Sequence, residues 1–143
     1  MGVILGIDVG KVRVGLAVTD PAGLFPCPLG TFPRSKYRAE EVIKAEIETR
    51  GVELVLVGLP LMEDGSKSAQ CSDIESFCRR LTKRIKIPIK MVDEHLTSEA
   101  AKDRIAQVKG SFRPERDREL LDAYAAVIII EDYLNLNIKK RHE

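Results

Sequence analysis

The sequence predicts an α/β fold: a mixed five-stranded sheet that opens as an antiparallel meander, continues through parallel strands and is flanked by helices. Three observations predict it. The opening segment reads as strands joined by tight turns. Two later apolar runs of strand length each follow an amphipathic helix, and a final helix is apolar on nearly all sides at its centre. Helices alternating with buried strands call for right-handed crossovers that lay the helices on the faces of the sheet.

Val3-Ile4-Leu5-Gly6-Ile7 has no polar alternation, so it reads as a central strand covered on both faces, closed by Asp8-Val9-Gly10. Gly10 permits a tight turn, and Val12–Val18 returns as the second strand of a hairpin. Thr19–Gly23 is rich in turn formers. Phe25–Phe32, carrying Pro26 and Pro28, fits an edge strand. Val42, Ile43 and Ile47 recur at helical spacing between Tyr37 and Arg50, with Gly51 as a stop. Glu53–Pro60 is the first parallel strand. Met62–Ser68 is polar, with turn chemistry at Asp64-Gly65-Ser66. A helix from there to about Ile85 has a buried stripe of Cys71, Ile74, Cys78, Leu81 and Ile85, which assigns two cysteines to packing. Ile87–Val92 forms the next strand and runs into Asp93-Glu94-His95. Thr97 caps a helix to about Val108, Lys109–Asp117 reads as an exposed, mobile loop, and the last helix spans about Arg118–Leu136.

The chain has 143 residues and a formal charge of +1, which suits one domain over 1–138, followed by a basic tail at 139–143. That charge removes any argument from bulk basicity for nucleic-acid binding, so a basic patch must be local. Three cysteines without a Cys-x-x-Cys pair indicate neither a disulfide framework nor a zinc knuckle and suit a reducing compartment. No basic leader precedes the first strand and no run approaches the roughly 18 apolar residues that span a bilayer, so a soluble, cytoplasmic protein is expected, with no membrane partner.

The unusual residues are carboxylates. An aspartate ending a buried strand costs several kcal/mol to keep ionised unless it meets water, a cation or several donors, on the order of the usual desolvation penalties. Asp8, Glu94 and Asp122 each end or interrupt an apolar element, and strand ends are where such sheets gather function. Glu119 lies one turn before Asp122 on the same helix face. Three carboxylates together raise one another's pKa unless a cation neutralises them, and oxygen-only ligands suit Mg²⁺ or Mn²⁺. Two such ions about 4 Å apart can activate a water and stabilise the leaving oxygen of a phosphodiester. No Walker A loop, Rossmann fingerprint or recognisable Ser-His-Asp context competes with this reading.

Leu5–Gly10 with Arg13–Val18, Val57–Pro60 with Asp64-Gly65-Ser66, Asp93-Glu94 and Asp122–Ala126 together resemble the YqgF/RuvX family nearly end to end, in order and at family spacing. That family is described as Holliday junction resolvases or pre-16S ribosomal RNA nucleases with a ribonuclease H-like fold. The resemblance implies that Asp8, Glu94 and Asp122 are metal-binding catalytic acids, that the loop from Gly58 to Ser66 borders the site, and that Arg13 contacts substrate phosphate or braces the hairpin. The chain departs from the family pattern at Lys11-Val12 and at His95, where arginine is common. His95 could shuttle a proton near neutral pH, although a lone histidine at a strand end more often packs or hydrogen-bonds.

Arg79, Arg80, Lys83 and Arg84, or Arg113 in the 109–118 loop, are the expected phosphate-backbone contacts, with Lys11 and Ser66 beside the acids; a basic run also commonly serves as a solvated face. The expected function is metal-dependent phosphodiester cleavage, with 5′-end processing of pre-16S rRNA favoured. The alternatives are a dimeric junction resolvase and a catalytically silent nucleic-acid-binding module. A monomer is favoured, because no spare apolar helix face is evident. The hairpin alone also resembles the phosphate loop of actin-like ATPases, which close two such domains over a nucleotide where this chain has room for one.

Overall fold

The computed structural model describes residues 2–94 and 97–142, with 136–142 described by backbone alone. Strands β1 (Val3–Val9), β2 (Arg13–Thr19) and β3 (Pro26–Pro33) lead through a 3-10 turn (Ser35–Tyr37) into α1 (Arg38–Arg50). Then come β4 (Val52–Leu59), α2 (Cys71–Thr82), β5 (Ile89–Asp93), α3 (Thr97–Lys109) and α4 (Pro114–His142). The sheet order is β3-β2-β1-β4-β5, antiparallel among the first three strands and parallel from β1 to β4 to β5. The apolar β1 is therefore central, as its composition requires, and the proline-bearing β3 is an edge.

Alternate side chains of a strand point to opposite faces. Leu5, Ile7 and Val9 of β1, with Val14, Leu16 and Val18 of β2 and Val55, Val57 and Leu59 of β4, pack against Ile43 of α1 and Ile74, Phe77 and Leu81 of α2. The other face sets Ile4, Ala17 and Leu56 against Ala126, Val127, Ile129, Ile130 and Leu134 of α4. Asp8 falls between Ile7 and Val9 and so belongs to the α4 face.

Two glycines let α4 lie directly on the sheet. A Cβ on Gly15 would collide with the Asp122 carbonyl and stand 2.8 Å from the Ala123 backbone nitrogen; one on Gly6 would stand 2.7 Å from the Ala126 carbonyl oxygen. Lys36 and Tyr37 hold successive left-handed conformations at φ 55° and 60°, a strain on the order of 1–3 kcal/mol for each non-glycine residue.

The structure departs from the sequence reading in several places. Residues 109–117 are mostly exposed and irregular over 110–113, but α4 begins at Pro114 rather than Arg118, and Asp117 is fully buried. Its carboxylate accepts hydrogen bonds from Lys109, from Arg116 and from the Arg113 backbone N–H, which ties the turn shut. The stripe of α2 includes the fully buried Phe77, whereas Ile85 lies beyond the helix end and is only partly buried. The last strand starts at Ile89 rather than Ile87. α4 also takes in residues 139–142 of the basic tail. Among the described residues no helix is long and apolar enough to cross a membrane.

Candidate active site

Asp8 of β1, Glu94 just past the end of β5 and Asp122 of α4 come near one another on the α4 face at the end of β1. Asp8 pairs in register with Gly15 of β2, and Gly58 of β4 lies one residue beyond the Ile7–Val57 pair on its other side. Both neighbours are glycines, and each leaves room for an acid. The Asp122 backbone sits on Gly15, and the Glu94 carboxylate sits over Gly58, where a Cβ would be 2.5 Å from its Oε2. The Glu94 backbone N–H donates to the Leu59 carbonyl at 3.0 Å, which fixes the turn that aims this side chain back along the sheet.

The electrostatics follow from that crowding. Burial pushes the Asp8 carboxyl well above the ordinary carboxylate range, and repulsion from Glu94 and then Asp122 pushes it further. Burial raises Glu94 too; the Thr97 hydroxyl at the start of α3 pulls it down without closing a hydrogen bond, and Asp132 raises it. Asp122 is raised by burial and pulled back by Arg13 and Arg118. The donor set is all oxygen, and its raised pKa values are those a hard divalent cation would lower. Among the described residues no three His, Cys, Asp or Glu side chains close around a single point.

A family model described as RuvX, Holliday junction resolvase, matches residues 2–136. The chain belongs to this family. It is 38% identical over 132 residues to a protein of Synechococcus sp. that carries the provisional name pre-16S rRNA nuclease, covering 92% of this chain and 87% of that protein. A Chloroflexus aggregans protein with the same provisional name is 38% identical over 133 residues, covering 92% of each. Among solved structures, T. thermophilus RuvC in complex with Holliday junction substrate superposes with a TM-score of 0.57 at 15% identity, over 95% of this chain and 96% of that one. The fowlpox virus Holliday junction resolvase gives 0.52 at 10% identity, over 93% and 98%. At such identities the likeness shows the ribonuclease H-like fold.

The remaining expected site residues of this RuvX-family chain divide between the two faces. Arg13 lies beside the acids, its Nε 3.8 Å from Asp122 Oδ2 and its side chain 38% exposed. Lys11 is exposed at the hairpin tip, and Ser66 donates to Asp64 through its backbone N–H and its hydroxyl, in the exposed loop after β4. The basic run belongs to the opposite face. Arg79 donates to the Ser76 hydroxyl, Arg80 approaches the buried Glu40 at 4.0 Å, Arg84 lies 4.7 Å over the Tyr37 ring, and Lys83 is exposed. Arg113 is exposed at the start of α4. Glu119 is exposed, and its carbonyl accepts the Thr31 hydroxyl. His95 lies outside the described residues.

Sequence reasoning missed two participants. Asp132 perturbs Glu94 from α4, and its only sequence signal is an acid inside the apolar run before Leu134. Arg34 donates to the Gly10 carbonyl at 2.7 Å and to both Asp73 oxygens at 2.7 and 3.1 Å, holding the hairpin against α2. Nothing in the spacing of Arg34 and Asp73 announces that pair.

Proposed function

We propose that this protein is a divalent-metal-dependent phosphodiester-cleaving nuclease that processes the 5′ end of pre-16S rRNA, with Asp8, Glu94 and Asp122 as its metal-binding catalytic acids. The observation that carries the reading is the meeting of three charge-repelling carboxylates over two glycines, in a family whose curated relatives are named as rRNA nucleases. Bound Mg²⁺ or Mn²⁺ supplies a water nucleophile at neutral pH and charge stabilisation for the leaving oxygen. Asp8, Glu94 and Asp122 would hold the ion, whose positive charge would favour the ionised form of the raised Asp8 and Glu94 carboxyls. Arg13 neutralises Asp122 in the free protein and is exposed enough to turn to a phosphate oxygen.

The family model's own description favours a second reading, a Holliday junction resolvase. Paired cuts across a four-way junction call for a symmetric dimer, whereas RNA trimming requires only a monomer. The test is Mn²⁺- or Mg²⁺-dependent cleavage of a labelled pre-16S rRNA fragment and of a synthetic four-way DNA junction, with Asp8→Ala as control. RNA cleavage lost in the variant supports the proposal. Paired junction cuts support the resolvase. Cleavage by Asp8→Ala at the wild-type rate overturns the catalytic assignment, and no cleavage of either substrate favours a silent binding module.

A further inference from the structure

On the face opposite the acids, the hairpin that carries Asp8 overhangs a cleft of about 630 Å³ whose walls include Lys11, Arg34, Lys36, Tyr37, Glu40 and Arg80. Four of these are cations. Tyr37 is 51% exposed, and the consecutive left-handed residues Lys36 and Tyr37 form one wall. Glu40 is 2% exposed, yet its Oε1 has no hydrogen-bond partner, and the nearest cation to its other oxygen is Arg80 at 4.0 Å. A buried carboxylate oxygen without a donor is rare and calls for one.

We propose that this cleft is a ribonucleotide subsite for a single-stranded part of the nuclease's substrate. The inference rests on the reading of the acid cluster as a nuclease centre and extends it across the hairpin. A nucleotide has three parts, and the cleft offers each a partner. Lys11, Lys36 and Arg80 take the phosphate, the face of the Tyr37 ring away from Arg84 takes an unstacked base, and Glu40 Oε1, covered and without a donor in the free protein, accepts the ribose 2′-hydroxyl, the donor that deoxyribose lacks, when the exposed side chains over it are displaced. Lys11 and Val12 lie three and four residues after Asp8, so a strand crossing the hairpin tip runs from the acids into the cleft.

The test is fluorescence-anisotropy binding of labelled six-nucleotide U-only RNA and its deoxyuridine counterpart in EDTA, where no cleavage occurs and uracil has no exocyclic amino group to donate. Wild type should bind the RNA tenfold or more tightly than the DNA. Lys36→Glu should weaken RNA binding at least tenfold and lower the slope of log affinity against log salt, by about one for each phosphate that the variant no longer neutralises. Tyr37→Leu should weaken it several-fold. Glu40→Met, which keeps a straight helix-forming side chain, should abolish the preference for RNA, and thermal melts of each variant confirm that it is folded. Equal wild-type affinity for the two oligonucleotides, or wild-type binding by both Lys36→Glu and Tyr37→Leu, overturns the subsite. Because binding is read without metal, loss of the nuclease reading would appear separately, as binding intact in a protein that cleaves nothing.

Discussion

Replacing Gly15 by alanine should damage both the fold and the site, because the space for its Cβ is already filled by the backbone of α4. The new methyl would collide with the Asp122 carbonyl and stand 2.8 Å from the Ala123 nitrogen, where ordinary contact begins near 3.4 Å. No rotamer change relieves a clash with helix backbone. The helix must therefore rise by at least about half an ångström, and a gap of about 0.5–1 Å forfeits roughly a quarter to a half of each dispersion contact beneath it. Overpacking of this kind costs about 1–3 kcal/mol, and the upper end applies because the obstacle is backbone. For a chain of this length that corresponds to a Tm lower by roughly 5–10 °C. The same displacement carries Asp122 away from Asp8, so nuclease activity should fall at least tenfold at temperatures where the variant is still folded. Circular-dichroism melts and single-turnover cleavage read the two effects. A Tm within a degree of wild type and an unchanged cleavage rate would refute the packing argument and the dependence of the site on α4.

Two further predictions concern charge. Asp8 has a folded pKa above its unfolded value, so its ionisation opposes folding: stability falls as pH rises from about 4 through the raised pKa. In EDTA near neutral pH, Asp8→Asn should therefore be more stable than wild type, by about the 0.5–2 kcal/mol common for a single stabilising substitution. Melts across pH should show that advantage vanishing below about pH 4. Asp117 has the opposite sign. Its pKa is held well below the carboxylate range by Arg116 and then Lys109, so its contribution is present above about pH 4 and lost as pH falls towards the depressed value. Asp117→Asn should lower the Tm at pH 7, with the gap to wild type closing in acid.

Much of the fold is legible because its signals are local. The unbroken apolar run at Val3–Ile7 can only be a strand covered on both faces, and Pro26 and Pro28 exclude the third strand from the centre of the sheet. The acids Asp8, Glu94 and Asp122 are legible because each stands at the end or within an apolar element, where a carboxylate needs a reason. At 109–117 Gly110 and Pro114 mark the irregular, mostly exposed chain, but the buried Asp117 that fastens it is not legible, because it depends on donors brought together only by folding. Glu40 and Arg80 are likewise forty residues apart in sequence, so nothing local distinguishes Glu40 from the other acids of its helix. The glycines at 15 and 58 read as turn or strand residues in sequence. Only the third dimension shows that one makes room for the backbone at Asp122 and the other for the carboxylate of Glu94.

The central claim is that Asp8, Glu94 and Asp122 act as one divalent-cation site, and the most direct measurement is calorimetric titration of Mn²⁺ into wild type, Asp8→Asn, Glu94→Gln and Asp122→Asn at neutral pH. The account predicts that wild type binds Mn²⁺ with proton release and that each variant loses at least tenfold in affinity. Wild-type Mn²⁺ affinity in all three variants would contradict it.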